Sequence, residues 1–393
     1  MYAVGVPKEP VGFPLVVRAY WAAVSAPIRS RSDASAGAAG PDPGDLAWFD
    51  YDLPAERIAQ IPVEPRDSAR LLVDRRHAPG GPAVDHRRVA DLADEVAPGD
   101  VVVVNDTRVI PARLLLRRAT GGKVEVLVLE PTGRPREWQA LVGAGRRVEP
   151  GTELHHGDEV VAVVGEHLGD GRRLVTLLAE DLVERVGRVP LPPYIHAELG
   201  DAERYQTVFA RHAGSVAAPT AGLHLTSALL ERVRAAGAEV VTVELRVGLG
   251  TFRPVTVERV ADHRMHGEWY RVDPGAWDRI GSARRVLAVG TTVVRTLETA
   301  AATGELTGTS ELFIRRGFRF QVVDRLLTNF HVPRSSLLVL LDAFVGPRWK
   351  DLYRIALDHP GADGAGEGGY RFLSFGDAML VERAEPMGED GSS

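Results

Sequence analysis

Apolar residues are laid out in two textures along this chain. In the first, short unbroken apolar runs alternate with helical periods. Val101–Val104 is a continuous run between Pro98-Gly99-Asp100 and Asn105-Asp106-Thr107-Arg108, which predicts a strand buried on both faces. Leu71–Val73, Val240–Val247 and Val286–Val289 predict further strands. Helices are predicted at Val89–Val96, at Asp201–Arg211 with Tyr205, Val208 and Phe209 on one side, at Val293–Ala301 and at Leu337–Phe344. Another starts after Thr226, a capping residue, carries Leu229, Leu230 and Val233 as a stripe and ends at Gly237. Leu53-Pro54 opens a helical turn through Gln60, prolines hold 61–65 extended, and Phe313–Val323 is expected to be strand and turn.

The second texture runs from Pro111 to about Leu178. Runs such as ARLLLRR, KVEVLVLE, EWQALV, EVVAVV and RRLVTLL have no helical period and are separated by Gly/Pro turns, the pattern of a small antiparallel barrel. Gly121-Gly122 suits a hairpin turn, and Val124, Val126 and Val128 alternate with Glu125 on the opposite face.

The fold class that follows is α/β: a large mixed α/β/α sandwich domain formed by 46–110 and 190–385, with a small antiparallel β-barrel of 111–189 inserted into it. Residues 1–45 are expected to be a disordered extension and 386–393 a disordered tail. Val11–Val24 is mildly apolar but broken by Pro14 and Arg18, too short to span a bilayer.

Composition narrows the chemistry. A chain of 393 residues with 45% hydrophobic content can bury two cores. The absence of cysteine excludes thiolate nucleophiles, disulfides and thiolate zinc sites, and fits a reducing, cytoplasmic location. Net charge is −6, against wholesale coating of nucleic acid, and the lysines are Lys8, Lys123 and Lys350, so cationic contacts fall to arginine.

Candidate chemistry sits in loops. GSVAAPTAGLHLT, residues 214–226, delivers His224 beside a helix start, with Thr220 and Gly222 in a tight turn. Asn105, Asp106 and Arg108 end the buried Val101–Val104 strand, where binding groups gather, although an Asx-turn serves equally well. Gly290-Thr291-Thr292 joins a strand to a helix and presents N–H groups and hydroxyls to an anion. Gly248 and Thr251 leave the Val240 strand in a weaker glycine motif. Asn329, His331, Arg334 and Ser335 again precede a helix. His263 and His266 have a His-x-x-His spacing but lack further ligands, so no metal site is expected and His266 is read as a hydrogen-bonding group.

These stretches in order, NDTRVIPARL, GGKVEVLVLE, PLPPYI, ERYQTVFA, GSVAAPTAGLHLT, VGLGTFRPV, HRMH, AVGTTVVRTLE, VVDRLLTNFHVPRSSLL and SFGDAML, resemble the S-adenosylmethionine:tRNA ribosyltransferase-isomerase family of queuosine biosynthesis over about residues 46–381. The resemblance implies S-adenosylmethionine as ribosyl donor and, as acceptor, a tRNA carrying 7-aminomethyl-7-deazaguanine at the wobble position. It implies proton removal beside the sulfonium, loss of adenine, attack by the aminomethyl nitrogen and expulsion of methionine, giving epoxyqueuosine. On that reading His224, His331, His266 and Asp106 are acid/base candidates. Thr291, Thr292 and Asn329 face the cofactor's amino acid or ribose, and Arg108, Arg113, Arg295 and Arg334 meet carboxylate or phosphates. A monomer without membrane attachment is expected.

The chain departs from the family pattern in places. Arg246 stands where the family has His, Gly267 and Trp269 replace Ser and Tyr, Leu225 replaces Phe, Phe209 replaces Tyr and Arg316 replaces Pro, and the usual basic and Pro residues around Gly143–Gly145 are missing. Alternative readings are a paralogue using S-adenosylmethionine on another amine or small molecule, and a noncatalytic tRNA-binding protein.

Overall fold

The fold is built around the valine run predicted to be buried on both faces. In the computed structural model, which describes residues 42–75, 83–143, 148–169, 171–248, 255, 257–360 and 369–385, the strands in chain order are β1 (Arg70–Asp74), β2 (Val84–Arg88), β3 (Asp100–Asn105), β4 (Thr107–Val109), β5 (Arg113–Arg118), β6 (Lys123–Pro131), β7 (Glu137–Gly143), β8 (Glu153–His156), β9 (Glu159–Gly169), β10 (Arg172–Leu177), β11 (His212–Ser215), β12 (Glu239–Leu245), β13 (Glu268–Val272), β14 (Arg285–Val289), β15 (Thr307–Ser310), β16 (Arg325–Asn329) and β17 (Ala378–Glu382). The α-helices are α1 (Leu182–Val186), α2 (Ser227–Ala235), α3 (Pro274–Gly281), α4 (Thr291–Thr303), α5 (Ser336–Val345) and α6 (Arg348–Asp358).

Nine strands form one sheet in the order β15-β13-β12-β3-β14-β16-β17-β1-β2. The four in its middle, β12, β3, β14 and β16, are parallel. Val101 and Val103 face one core with Val293, Val294 and Leu297 of α4, while Val102 and Val104 face another with Leu229, Leu230 and Val233 of α2. A strand covered on both faces needs no polar alternation, so the run is legible as a buried strand. The result is the expected mixed α/β sandwich.

Strands β5 to β10 close a separate antiparallel barrel in the order β10-β7-β6-β5-β8-β9. Leu114, Leu116, Val124, Val126 and Val128 are buried within it. Glu125 lies on the opposite face of β6 and pairs with Arg113 at 2.9 Å.

Local signals behave as their chemistry requires. Thr226 caps α2 by accepting from the Leu229 N–H at 3.1 Å, and Gly237 follows its end with φ +89°. Several expectations are corrected. The 201–211 helix is a single 3-10 turn, Ala202–Tyr205, because Gln206 bonds both the N–H and the C=O of Val109 and turns the chain extended. Val208, expected on one side with Tyr205 and Phe209, is exposed while Tyr205 is buried. No strand forms within 313–323; instead the N–H groups of Gln321, Val322 and Val323 converge on the buried Glu298 carboxylate at 2.8, 3.1 and 3.0 Å. The helical turn at 53–60 is confined to Ala55–Arg57. Residues 42–45, assigned to the extension, join the fold through the Asp45–Arg259 bridge. Residues 1–41, 77–82 of the expected turn, 144 and 145, and the 386–393 tail lie outside the described residues. Among those described, no helix is long and apolar enough to cross a membrane.

Candidate functional site

The carboxyl ends of β12, β3, β14 and β16 point the same way, and the chain leaves β3 for β12 on one side and reaches β14 on the other. A crevice opens at such a switch point. Three predicted segments meet there: Asn105-Asp106 at the end of β3, Gly290-Thr291-Thr292 after β14 and Asn329 at the end of β16.

Across them lies the 3-10 turn Thr220–His224. A Cβ on Gly290, whose φ is +92°, would stand 3.6 Å from Ala221 Cβ, so the turn passes directly over the start of α4. Thr220 Oγ1 donates to Asn329 Oδ1 at 3.0 Å. The Asn329 amide donates to the carbonyls of Leu373 and Asp377 at 3.2 and 3.4 Å, and faces His224 Nε2 at 3.1 Å. Carbonyls only accept, so the amide nitrogen is fixed and His224 Nε2 must accept from it. The His224 proton therefore sits on Nδ1, which has no partner among the described residues. Burial, then the charges of Arg371, Arg204 and Arg66, lower the pKa of His224 to about 4, which keeps this tautomer neutral.

His331 lies two residues beyond Asn329. Its Nε2 is 3.1 Å from Thr328 Oγ1, its N–H donates to Tyr353 at 2.7 Å and its C=O accepts from Tyr51 at 2.5 Å. Burial lowers its pKa to about 3. The two histidines are thus held by adjacent residues of one strand, but through different partners.

Thr291 and Thr292 open α4, whose first-turn N–H groups have no helical acceptor. Thr292 Oγ1 is a buried hydroxyl without a partner among the described residues, 3.7 Å from the position a Gly290 Cβ would take. A buried unpaired hydroxyl beside a helix start fits a ligand acceptor such as a carboxylate or ribose oxygen.

A sequence profile of the queuosine biosynthesis protein family matches residues 46–381. The chain belongs to this family. It is similar to the S-adenosylmethionine:tRNA ribosyltransferase-isomerase of Moorella thermoacetica, 50% identical over 349 residues that cover 85% of this chain and 98% of that one. The Symbiobacterium thermophilum protein of the same name is 49% identical over 354 residues, covering 86% and 99%. The crystal structure of the S-adenosylmethionine tRNA ribosyltransferase from Thermotoga maritima is 35% identical, covering 85% of this chain and 99% of that chain with a TM-score of 0.46. The expected family membership and enzyme class therefore hold.

Other residues assigned to the family site have different positions. Asn105 is buried and clamps β3 to β12: its Oδ1 accepts from Thr107 N and Leu245 N at 3.1 Å each, and its amide donates to Leu245 O at 3.0 Å. The Asx-turn reading prevails, and both the oxygen and the amide of this buried side chain are engaged with backbone. Arg295 is buried with Glu268 as ion partner and donates to the carbonyls of Ser310 and Leu312 at 3.1 and 3.3 Å. It is an internal brace. Arg113 belongs to the barrel through Glu125. Ser335 caps α5 and donates to Val332 O at 2.7 Å. Gly222 makes room for this protein's own side chains, since a Cβ there would meet Phe209 Cζ at 2.9 Å and Thr207 Cγ2 at 3.0 Å.

Asp106 is buried and pairs with His212 at 3.1 Å. Arg108 pairs with Glu203 on the rim. Gly248 donates to Glu268 Oε1 at 2.9 Å. Arg334 is exposed in the left-handed region with φ +57°. His266 is half-buried near His263, whose pKa it helps to lower after burial. Thr251 lies outside the described residues. Among those residues no group of three or more His, Asp or Glu side chains could hold a metal. The sequence reading missed Leu373, whose carbonyl helps to orient Asn329 from a residue at φ +69°, and Thr207, whose buried hydroxyl has no partner among the described residues. Neither carries a sequence signal, since both roles depend on chain brought in from elsewhere.

Proposed function

We propose that this enzyme transfers and isomerises the ribosyl group of S-adenosylmethionine onto the 7-aminomethyl-7-deazaguanine of a tRNA wobble position, releasing adenine and methionine and leaving epoxyqueuosine. The observation that carries the reading is the Thr220–Asn329–His224 network laid across the start of α4 at the sheet's switch point. The names of the curated relatives, which cover nearly their whole length, supply the substrate class.

The residues divide the work as follows. The α4 start, with Thr291 and the unpaired Thr292 hydroxyl, receives the methionine carboxylate or a ribose hydroxyl. His224 presents Nδ1–H as a neutral donor, suited to a departing adenine nitrogen rather than to proton abstraction, because its Nε2 lone pair is occupied by Asn329. The carbon acid beside the sulfonium is already acidified by S⁺. Its base is drawn from His331, His266 and Asp106, of which Asp106 and His331 are buried at the carboxyl end of the sheet.

The decisive assay incubates the protein with S-adenosylmethionine and tRNA bearing the aminomethyl base and measures adenine and methionine. Release that requires this tRNA supports the proposal. Release with a small amine but not with tRNA would favour the paralogue, and binding of tRNA without turnover the noncatalytic reading.

A further inference from the structure

Three of the departures from the family pattern meet at one place. Arg246, one residue beyond β12, stacks its guanidinium over the Trp269 ring of β13, with Cζ 4.3 Å from the ring centroid. The Arg246 backbone N–H also donates to Trp269 O at 2.9 Å. Gly267 lies two residues before Trp269, and a Cβ there would come within 2.6 Å of Thr309 Cγ2, the β15 residue paired with Trp269. Gly214 gives the room on the other side: its Cβ would lie 3.1 Å from both Cδ and Nε of Arg246. The same guanidinium that covers the indole also reaches a carboxylate.

That carboxylate is Glu244, which is buried. Arg246 Nε donates to its Oε1 and Arg271 Nη2 to its Oε2, each at 3.1 Å, while His212 stands 3.9 Å from Oε2 and 3.1 Å from the buried Asp106. One edge of the Arg246 guanidinium is therefore held and one face is covered. Its Nη1 and Nη2 have no partner among the described residues, and the side chain is 45% exposed. A guanidinium fixed on one edge and stacked on an indole has lost little further freedom when its open edge takes a two-oxygen anion.

We propose that Arg246, pre-set by Trp269 and Glu244, is a phosphate clamp for the tRNA backbone in this enzyme. The inference rests on the tRNA-modifying function proposed above. The donor's own anionic group is a poorer fit, because α4 starts two strands away in the order β12-β3-β14, about 10 Å at ordinary strand spacing. The sulfonium of the donor is excluded by like charge.

The test is direct binding of unmodified tRNA over a salt series to wild type, R246A and R246K, with S-adenosylmethionine affinity and kcat measured alongside. R246A is expected to bind tRNA roughly tenfold more weakly at low salt and to lose about one phosphate's worth of salt slope, ~0.7 to ~0.9 in log–log terms, with kcat and S-adenosylmethionine affinity unchanged. R246K, which keeps the charge, is expected to keep the slope. An R246A protein with the wild-type salt slope overturns the clamp, as does one that loses S-adenosylmethionine affinity in parallel with tRNA. If that wild-type slope accompanies tRNA-dependent adenine release, the function stands and only the clamp falls. Wild-type protein that binds no tRNA overturns both.

Discussion

Asn329 fixes the tautomer of His224. Its amide nitrogen, oriented by the carbonyls of Leu373 and Asp377, donates to His224 Nε2 at 3.1 Å and leaves the imidazole proton on Nδ1. Replacing Asn329 by Asp puts a carboxylate where two carbonyl oxygens already point and reverses the demand on Nε2 from acceptor to donor. Asn329→Asp is expected to lower adenine release by at least ~100-fold and to cost about 1–3 kcal/mol of stability through the unpaired carbonyls. Turnover assays with urea melts check both, and wild-type turnover in the variant would remove His224's assigned state.

The pH dependence of stability follows from burial of the two imidazoles. His224 and His331 have folded pKa values lowered to about 4 and about 3 from 6.5. Below pH 6.5 the unfolded chain takes up protons that the folded chain refuses. Their contribution is thus intact above pH 6.5, and is lost as pH falls toward 4 and 3, at up to ~1.4 kcal/mol per pH unit for each histidine. His224→Gln keeps an acceptor for Asn329 and removes one titrating group. Urea midpoints across this range are expected to fall less steeply in the variant, and parallel curves would show that His224 titrates normally.

Much of the scaffold was legible because its causes are local. The β3 valines, the barrel's alternation and the Thr226 and Ser335 caps each depend on a few neighbouring residues. Helix α6 has Trp349, Leu352, Tyr353 and Ala356 buried on one stripe, a pattern the sequence contains and the reading passed over. The site was legible only in part. Thr220, His224, Thr291, Thr292 and Asn329 come together, but whether a polar residue faces substrate or the protein is decided by distant chain. Asn105 is turned to the backbone of Leu245, 140 residues on, and Phe313–Val323 is organised by Glu298 rather than by its own strand pattern.

Thr292 separates ligand binding from folding. Its hydroxyl is buried without a partner among the described residues, so the folded protein gains no hydrogen bond from it without ligand. Thr292→Val, close in shape, is expected to leave the unliganded melting temperature unchanged or raised and to weaken S-adenosylmethionine binding roughly tenfold, the worth of one hydrogen bond of about 1.4 kcal/mol. Thr292→Ser is expected to restore most of that affinity. Calorimetric titration of both variants decides the point, and unaltered affinity in the valine variant would take Thr292 out of the site.

Arg295 tests the opposite case, a residue whose motif suggests substrate and whose surroundings require structure. Its guanidinium is buried against Glu268, which also accepts from Gly248 N at 2.9 Å. Arg295→Ala leaves that carboxylate buried without its cation and is expected to cost about 3–5 kcal/mol. Pairing Arg295→Met with Glu268→Gln removes both charges while the glutamine oxygen still accepts from Gly248, so most of the loss is expected to return. A substrate-binding arginine predicts another pattern: intact stability in the alanine variant, a specific fall in affinity, and no rescue by the second substitution. Denaturant melts of the single and paired variants, with tRNA and S-adenosylmethionine binding measured on the folded ones, tell the two apart.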